Sequence, residues 1–350
     1  MQGQTIFITG GAGFVGSTLV RQLAVMGAHV IVFDALTYAG HRVNIADIAG
    51  NVTLIEGNIC DTKLVLALLK QFRPNGIMHL AAESHVDNSI HASHAFIETN
   101  VVGTHSILDA VRHYWLECDE KTRADFRFVH VSTDEVYGTL GDKGMFMPES
   151  QIAPNSPYSA SKASSDLLAR AWHKTYGLPV IITRCSNNYG PRQHPEKLIP
   201  RMITRALAGQ SLPVYGSGKQ VRDWIHVEDH ARGILLAMQR GIAGEVYLFG
   251  GHAQRQNIEV ITLICDALKK THPEKDFHNN ICYVEDRLGH DFRYAIDDSA
   301  SQKSLGFTRQ ITDFSKGLSA TVAWYLDNSP WIETINAHTL EKRKESGENA

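Results

Sequence analysis

Short apolar runs alternate with segments of helical periodicity through the first half of the chain. Residues 6–8 form a run without polar alternation, typical of a buried strand. A helical period follows it, carried by Val15, Leu19, Leu23 and Met26. Comparable runs recur at 29–33, 52–55, 77–80 and 128–131, with helical segments between them at 64–72 and 96–114. This order predicts a parallel sheet covered on both faces, a doubly wound, Rossmann-like α/β fold.

The pattern loosens in the second half of the chain. A helix at 158–176 and a strand at 179–183 complete a first unit, which we expect to span residues 1–186. Further helical segments are predicted at 199–208, 227–239, 258–270 and 314–326. We therefore predict a smaller, mixed α/β substrate lobe at 187–335, which shares some strands with the first unit because no linker separates them. Residues 336–350 are predicted to form a polar, mobile tail.

Charge and composition argue against several classes of protein. The 350 residues carry a formal net charge of −3, and the short run 341–345 is the one charged block, so nucleic-acid binding is not indicated. The five cysteines are scattered without a C-x-x-C pair, which is typical of a reducing cytoplasm rather than of a disulfide framework. The 18 histidines show no metal-ligand spacing, so no metal is predicted.

The N-terminus runs directly into the first predicted strand. No cationic segment precedes an apolar one there, and no apolar stretch reaches the roughly 18 residues of a membrane-spanning helix. We therefore expect no signal peptide, no membrane association and a cytoplasmic location. The length suits one large domain with a smaller one attached.

A glycine-rich turn joins the first strand to the first helix. Gly10, Gly13 and Gly16 give G-x-x-G-x-x-G, one residue off the standard dinucleotide spacing. Such glycines permit a tight turn, let a pyrophosphate approach the backbone and let helix and strand pack closely. Asp34 ends the second strand, where a carboxylate would bind the adenosine ribose and repel a 2′-phosphate. NAD is therefore favoured over NADP. The alternative to cofactor binding is that the glycines form a simple turn.

Tyr158 and Lys162 stand one helical turn apart. A free tyrosine is a poor base at neutral pH because its pKa is about 10, and a nearby ammonium group would stabilise the phenolate. Thr133, after the apolar run at 128–131, would orient a substrate hydroxyl. On its own the pair could be an ordinary solvated one. Together with the glycine-rich turn it favours oxidation of a secondary alcohol by NAD.

Two carboxylates, Asp134 and Glu135, follow Thr133 directly. Adjacent carboxylates in a closed site cannot both ionise at low cost, so one proton is retained and an acid and a base coexist. Such a pair could remove water as well. The alternative is an acidic pair that faces solvent. Because side chains alternate along a strand, both carboxylates can reach one substrate only if the strand has ended.

Longer segments of the chain resemble the extended short-chain dehydrogenase/reductase superfamily and, within it, the nucleotide-sugar 4,6-dehydratases. The resemblance covers about residues 4–328 and rests on LAAESHVD at 80–87, STDEVYG at 132–138, PYSASK at 157–162, SNNYGP at 186–191, PEKLIP at 195–200, RDW at 222–224 and R-x-GHD at 287–291. It implies an NAD-dependent hydro-lyase that acts on dTDP-glucose, and a homodimer formed through the helices near 96–114 and 158–176.

The resemblance also implies the site residues and their roles. Tyr158 would take the C4 hydroxyl proton, Glu135 the C5 proton, and protonated Asp134 would donate to the departing C6 hydroxyl. The implied cofactor contacts are Gly10, Gly13, Phe14, Val15, Gly16, Asp34, Asn58, Ile59, Ala81, Asn100, Tyr158 and Lys162. The implied substrate contacts are Ser84, Asn187, Lys197, Leu198, Tyr215, Arg222, Asn257, Arg287 and His290.

Some of these residues have a second interpretation. Arg222 and Arg287 suit a diphosphate because guanidinium groups are permanent, forked cations, although surface arginines are the alternative. Asn100 could equally form a helix-packing hydrogen bond. The chain departs from the family pattern at Asn58, near the expected adenine site, and at Asn88 and 192–194, near the expected sugar pocket.

Other functions remain open from sequence. A nucleotide-sugar 4-epimerase or decarboxylase would use the same threonine, tyrosine and lysine but needs no acid–base pair after the threonine. A catalytically silent NAD-binding regulator would be expected to have lost the Tyr158–Lys162 pair, which is intact here. The base-contacting residues do not decide between dTDP and GDP, CDP or UDP sugars.

Overall fold

The computed structural model describes residues 1–48 and 50–345. The strands are β1 (Thr5–Thr9), β2 (His29–Asp34), β3 (Val52–Glu56), β4 (Gly76–His79), β5 (Arg127–Thr133), β6 (Val180–Cys185), β7 (Asn187–Tyr189), β8 (Leu212–Tyr215), β9 (Val221–His226), β10 (Val246–Phe249), β11 (Gln254–Gln256) and β12 (Ile281–Val284).

The helices alternate with these strands along the chain. They are α1 (Phe14–Val25), α2 (Thr62–Phe72), α3 (Val86–His91), α4 (Ser93–Phe96), α5 (Thr104–Glu117), α6 (Glu120–Asp125), α7 (Pro157–Tyr176), α8 (Leu198–Leu207), α9 (Val227–Arg240), α10 (Asn257–Thr271), α11 (Ser299–Leu305), α12 (Phe314–Asp327) and α13 (Ser329–Glu345). A π-helical stretch, Ile97–Gly103, joins α4 to α5, so the helix predicted at 96–114 lies within one longer helical segment. In the described residues no helix is both long and apolar enough to cross a membrane.

Seven strands form the main sheet, in the order β10-β6-β5-β4-β1-β2-β3, and every neighbouring pair is parallel. This confirms the doubly wound arrangement. The strand order reverses between β1 and β4, and in such sheets ligands bind beyond the carboxyl ends of the strands at this reversal. Strand β10 comes from the second half of the chain, so the division predicted after residue 186 runs through the sheet.

Helices cover both faces of this sheet. Ile6 and Ile8 of β1 pack with α1 and α9 on one face, in a buried cluster that includes Leu19 and Ile234. Phe7 points to the other face, in a cluster with residues of α2, α5 and α7 such as Leu69. Each fully buried aliphatic or aromatic side chain contributes about 1.5–3 kcal/mol, so the alternation along β1 fixes the sheet between two helical layers.

The second half of the chain builds a smaller lobe. Helices α8, α10 and α12 share an apolar cluster, and two small sheets, β11-β9-β7 and β12-β8, lie beside them. Trp331 and Ile335 of α13 also belong to this cluster. The tail predicted at 336–350 is therefore helical as far as Glu345, because apolar residues at i and i+4 anchor its first turns. Its last five residues lie outside the described part of the chain.

Candidate active site

Two connected clefts open at the carboxyl ends of the main sheet. One, the glycine cleft, runs from the turn at 10–16 to the carboxyl ends of β5 and β6, where Tyr158 and Lys162 of α7 line it. The other, the arginine cleft, lies between α3, α8 and the loop that carries Arg287. Residues that line both clefts are Ser84, Glu135, Asn187, Glu196, Lys197, Leu198 and Trp224. A ligand with two parts could therefore extend from one cleft into the other.

The glycine-rich turn packs as closely as its sequence predicts. Gly10 has a φ of 71°, and a Cβ atom there would lie 2.6 Å from the backbone nitrogen of Ala81. A Cβ atom on Gly16 would collide with the Gly10 carbonyl oxygen. Only glycine allows this turn to bring the start of α1 against β1 and β4, with the first N–H groups of α1 toward the cleft.

Asp34 lies at the end of β2 and faces the same cleft. Its carboxylate accepts hydrogen bonds from the backbone N–H groups of Ala12 and Leu36, each at 2.9 Å. Burial raises the pKa of Asp34, and these hydrogen bonds oppose the rise. The predicted residues that line the glycine cleft are Gly10, Gly13, Phe14, Val15, Gly16, Asp34, Asn58, Ile59, Ala81, Tyr158 and Lys162.

Asn100 is the exception among the predicted cofactor residues. It lies in the π-helical stretch, is 1% exposed and does not line the glycine cleft. Its amide accepts from the Glu83 N–H at 2.9 Å and donates to the Glu83 carbonyl and to the Ser161 hydroxyl. These bonds tie the helix to the loop after β4 and to α7. These bonds support the packing interpretation of Asn100, and the predicted cofactor contact stays a prediction.

Helix α7 begins so that Tyr158 lies in its first turn. Ser156 caps it in a capping box with Ser159, and Pro157 occupies the first helical position. One turn later, Lys162 donates from Nζ to the carbonyl of Val131 on β5 at 2.9 Å. Both side chains are buried at the end of the glycine cleft.

Burial dominates the electrostatics of this pair. Burial, followed by the charge of Glu135, raises the pKa of Tyr158 well above its ordinary value, whereas a hydrogen bond with Thr133 lowers it. Burial also lowers the pKa of Lys162. Desolvation is the largest influence on the pKa of Tyr158, so the lowering expected from Lys162 stays a prediction.

Strand β5 ends at Thr133, and a short 3-10 helix, Asp134–Tyr137, starts immediately. The Thr133 hydroxyl caps that helix by accepting from the Glu135 N–H at 3.3 Å. The alternation of side chains therefore stops before the acidic pair, and both Asp134 and Glu135 line the glycine cleft beside Tyr158. This position in the cleft favours the interpretation as an acid–base pair over that as a solvent-facing pair.

The two carboxyl groups have different surroundings. Asp134 is 1% exposed, and burial, followed by the charges of Glu135 and Asp223, raises its pKa well above the ordinary value. Its Oδ2 has no hydrogen-bond partner within the described residues. Burial also raises the pKa of Glu135, but there Arg222, Arg287 and Lys197 favour the charged form. Asp134 is therefore suited to hold a proton and Glu135 to accept one.

The arginine cleft contains the whole predicted substrate set: Ser84, Asn187, Lys197, Leu198, Tyr215, Arg222, Asn257, Arg287 and His290. Arg222 is 6% exposed, and its guanidinium lies 4.4 Å from the ring centroid of Tyr294. It donates to the carbonyls of Val221 and Asp291, both at 2.9 Å. These contacts hold a buried cation in the cleft, so Arg222 is not a surface arginine.

Sequence reasoning missed several cleft residues. These are His85, Asp87, Arg201 and Tyr294 in the arginine cleft, and Cys185 and His230 in the glycine cleft. The residues 85–87 stand inside the motif at 80–87, so the signal for them was present. Of the departures from the family pattern, Asn58, Gln193 and His194 line the glycine cleft, whereas Asn88 and Arg192 line neither cleft.

The residues present fit a dinucleotide and a nucleoside diphosphate. Within the described residues the buried side-chain oxygens of Asn187 and Asn257 have no hydrogen-bond partner, and each lines a cleft. The closely packed glycines, the Asp34 carboxylate and the buried cation of Arg222 supply the donors and acceptors that such ligands require. In the part of the chain that the structure describes, no group of three or more His, Cys, Asp or Glu side chains is placed to hold a metal ion.

Comparisons with known proteins agree with this geometry. Residues 7–321 match the family model for GDP-mannose 4,6 dehydratase. A dTDP-glucose 4,6-dehydratase of Xanthomonas campestris is 51% identical over 345 residues, 97% of this chain and 98% of that protein. Another, from Escherichia coli, is 48% identical over 345 residues, 95% of each chain.

A solved structure is also similar. The dTDP-glucose 4,6-dehydratase of Streptomyces venezuelae, with NAD and dTDP bound, superimposes with a TM-score of 0.86 at 45% identity. The match covers 95% of this chain and 99% of that one.

Proposed function

Since this chain belongs to the dTDP-glucose 4,6-dehydratase family, we propose that it converts dTDP-glucose to dTDP-4-keto-6-deoxyglucose and regenerates its NAD in each turnover. The observation that carries this proposal is the position of Asp134 and Glu135, which lie in the glycine cleft beside Tyr158. An alcohol oxidation needs only the threonine, tyrosine and lysine. The acid–base pair adds the means to remove water, which a 4-epimerase does not require.

NAD would be held by the turn at 10–16, by Asp34 at its adenosine ribose and by Tyr158 and Lys162 at the far end of the glycine cleft. When bound, NAD would supply the hydride acceptor for C4 of the sugar and the hydride donor for C6. In the same cleft Thr133 orients the C4 hydroxyl and Tyr158 accepts its proton. The ammonium of Lys162, fixed on the Val131 carbonyl, would stabilise Tyr158 as the phenolate that accepts this proton.

The elimination uses the acidic pair. Once C4 is a ketone, the C5 proton becomes acidic, and Glu135, whose charged form is favoured by Arg222, Arg287 and Lys197, removes it. Asp134 remains protonated because of its burial and donates to the C6 oxygen, which leaves as water. Glu135 gives its proton back to C5 as the hydride returns to C6. The sugar thus loses one water without net oxidation.

The diphosphate of the substrate would occupy the arginine cleft. Arg222 and Arg287 line it together with Lys197, and guanidinium groups bind phosphate oxygens in a forked geometry. Leu198, Tyr215 and Asn257 line the same cleft, and we propose that the nucleotide base of the substrate lies against Tyr215. The hexose then lies at the junction of the two clefts, where Ser84, Glu135 and Asn187 are shared.

We also infer a homodimer and a cytoplasmic location. Ile97 and Val102 in the π-helical stretch and Leu167 in α7 are 46%, 48% and 54% exposed, an apolar surface suited to packing against a second copy. All five cysteines are free thiols, as expected in a reducing compartment. Analytical ultracentrifugation tests the dimer, and Leu167→Glu should shift the protein toward the monomer.

One incubation tests the activity. The purified protein with dTDP-glucose and no added reductant should give a product lighter by one water, with a ketone at C4. Parallel incubations with GDP-, CDP- and UDP-glucose show which nucleotide base the protein prefers in its substrate. A product of unchanged mass, or inversion at C4, contradicts the dehydratase assignment. Dehydration of another nucleotide-glucose in preference to dTDP-glucose contradicts the substrate assignment alone.

A further inference from the structure

Asp87 is a carboxylate that faces the arginine cleft, where an anionic diphosphate is expected to bind. It lies in the first turn of α3, two residues after the capping residue His85. By charge alone it would repel the substrate. A residue of this sign in this place therefore requires an explanation, and its contacts provide one.

The Asp87 carboxylate bridges two distant parts of the second lobe. Its Oδ1 lies 3.1 Å from Nη1 of Arg287, and its Oδ2 accepts from the Tyr215 hydroxyl at 3.3 Å. These partners are 200 and 128 residues away along the chain. Both are cleft residues, one suited to the diphosphate and one to the base. Asp87 thus links the first unit to both.

The bridge uses one atom of each partner side chain. Arg287, which lines the cleft, is braced at Nη1, and its buried Nε has no hydrogen-bond partner within the described residues. Tyr215 uses only its hydroxyl for Asp87, and its ring lines the cleft. The rings of Tyr215 and His290 are nearly perpendicular, with centroids 6.4 Å apart.

The charge state of Asp87 is consistent with this contact. Burial pushes its pKa upward, but the Arg287 guanidinium, His85 and the Tyr215 hydroxyl bring the pKa below its ordinary value. Other charged and titratable groups that line the cleft are Glu135, Glu196, Lys197, Arg201, Arg222 and His290. Asp87 is therefore ionised at neutral pH and pairs with one member of a mainly cationic set.

We propose that Asp87 is a positioning residue for nucleotide recognition, which holds the Arg287 guanidinium and the Tyr215 ring in the orientation that receives a nucleoside diphosphate. This proposal rests on the proposed function, because it assumes that the arginine cleft takes the nucleotide. The gain in affinity for the nucleotide comes from preorganisation. Two flexible side chains from different segments are ordered before the ligand arrives, so less conformational entropy is lost on binding.

The variant Asp87→Asn separates two explanations by the direction in which KM and Kd change. If Asp87 acts as a brace, the variant should raise KM for dTDP-glucose and the Kd for dTDP about tenfold, while kcat stays within about twofold. If Asp87 acts only through its charge, removal of a negative group should lower both constants. An unchanged or lower KM, or a parallel loss of NAD affinity and thermal stability, overturns the proposal.

Two further variants locate the effect. In an Arg287→Gln background, Asp87→Asn should add little to the rise in Kd, since the brace has lost its main partner. Full additivity would overturn the proposal. Asp266→Asn, which removes an exposed carboxylate outside both clefts, is the matched control for the change in net charge and should leave the Kd for dTDP unchanged.

Titration with dTDP alone separates this proposal from the proposed function, because it needs no turnover. Weaker dTDP binding by Asp87→Asn supports the brace even if the wild-type protein does not dehydrate dTDP-glucose. Normal dehydration by the wild type with unchanged dTDP binding by the variant rejects the brace and leaves the function intact.

Discussion

Asp134 and Glu135 are neighbours in the chain, yet the balance of charges around them differs. The charges of Glu135 and Asp223 raise the pKa of the buried Asp134 against that of Arg222, whereas Arg222, Arg287 and Lys197 together favour the ionised form of Glu135. This asymmetry separates an acid from a base within two residues. Both residues line the glycine cleft, but Glu135 also lines the arginine cleft, where the cationic side chains lie.

Glu135→Gln should retain bound NAD but lower kcat by a factor of about 10²–10⁴, because the amide cannot accept the C5 proton. The product is measured by mass spectrometry and the bound NAD by its absorbance after denaturation. The exposed Glu274 offers a matched control, and Glu274→Gln should behave as the wild type. Near-normal turnover by Glu135→Gln would refute its role as the base.

Tyr158→Phe should block the reaction one step earlier. Without the phenol no group takes the C4 hydroxyl proton, so kcat falls by about 10²–10⁴ and no transient NADH absorbance appears in single-turnover mixing. Tyr283, 62% exposed, provides the control Tyr283→Phe. A burst of NADH in Tyr158→Phe of wild-type size would show that another residue accepts the proton.

Asp134→Asn should change the pH dependence of stability. Burial raises the native pKa of Asp134 well above its ordinary value near 3.8, so the native state keeps a proton that the unfolded chain releases. The stability this group contributes is complete below the ordinary pKa and is lost as the pH rises toward the native pKa. The variant should therefore gain free energy of unfolding over the wild type as the pH rises above about 4.

Urea unfolding at a series of pH values measures that gain. The difference between Asp134→Asn and the wild type should be smallest at acid pH and should grow toward neutrality. A difference that stays constant with pH, or that shrinks as the pH rises, would contradict a protonated Asp134.

Gly16→Ala should weaken both folding and NAD binding. The new Cβ atom would collide with the Gly10 carbonyl oxygen, and such overpacking costs about 1–3 kcal/mol. Because the shift would open the turn that faces the cofactor, NAD affinity should fall as well. Gly141→Ala is the control, since a Cβ atom there meets nothing within 4 Å. Unchanged thermal stability and NAD affinity in Gly16→Ala would contradict the close approach.

The C-terminal helix should also matter for the cofactor. Trp331 donates from its indole nitrogen to Asn44 at 2.9 Å, and Asn44 in turn donates to the carbonyl of Ala12 within the glycine-rich turn. Trp331→Phe leaves the buried Asn44 oxygen unpaired, at a cost of about 1–3 kcal/mol. A lower melting temperature and weaker NAD binding are expected. Trp172→Phe, which removes an indole N–H without a partner among the described residues, should not weaken NAD binding.

The sequence by itself determined the sheet, the turn and the place of the acidic pair. These features rest on local patterns: unalternating apolar runs, glycines at positions where a Cβ atom would collide, and a tyrosine and lysine one helical turn apart. Each pattern acts within a few residues, so it can be read from the chain. For the same reason Tyr158 and Lys162 could be predicted to lie on one face of a helix, and both line the glycine cleft.

Only the tertiary structure decided which charges surround each group. The assignment of Asn100 to packing depends on Glu83 and Ser161, the ordered helix beyond residue 335 depends on its fit to the second lobe, and the bridge from Asp87 joins residues 128 and 200 positions apart. Burial and Coulomb interactions depend on distances in space, which local periodicity does not encode. The sequence therefore specified the chemical groups, and the fold set their pKa values and their partners.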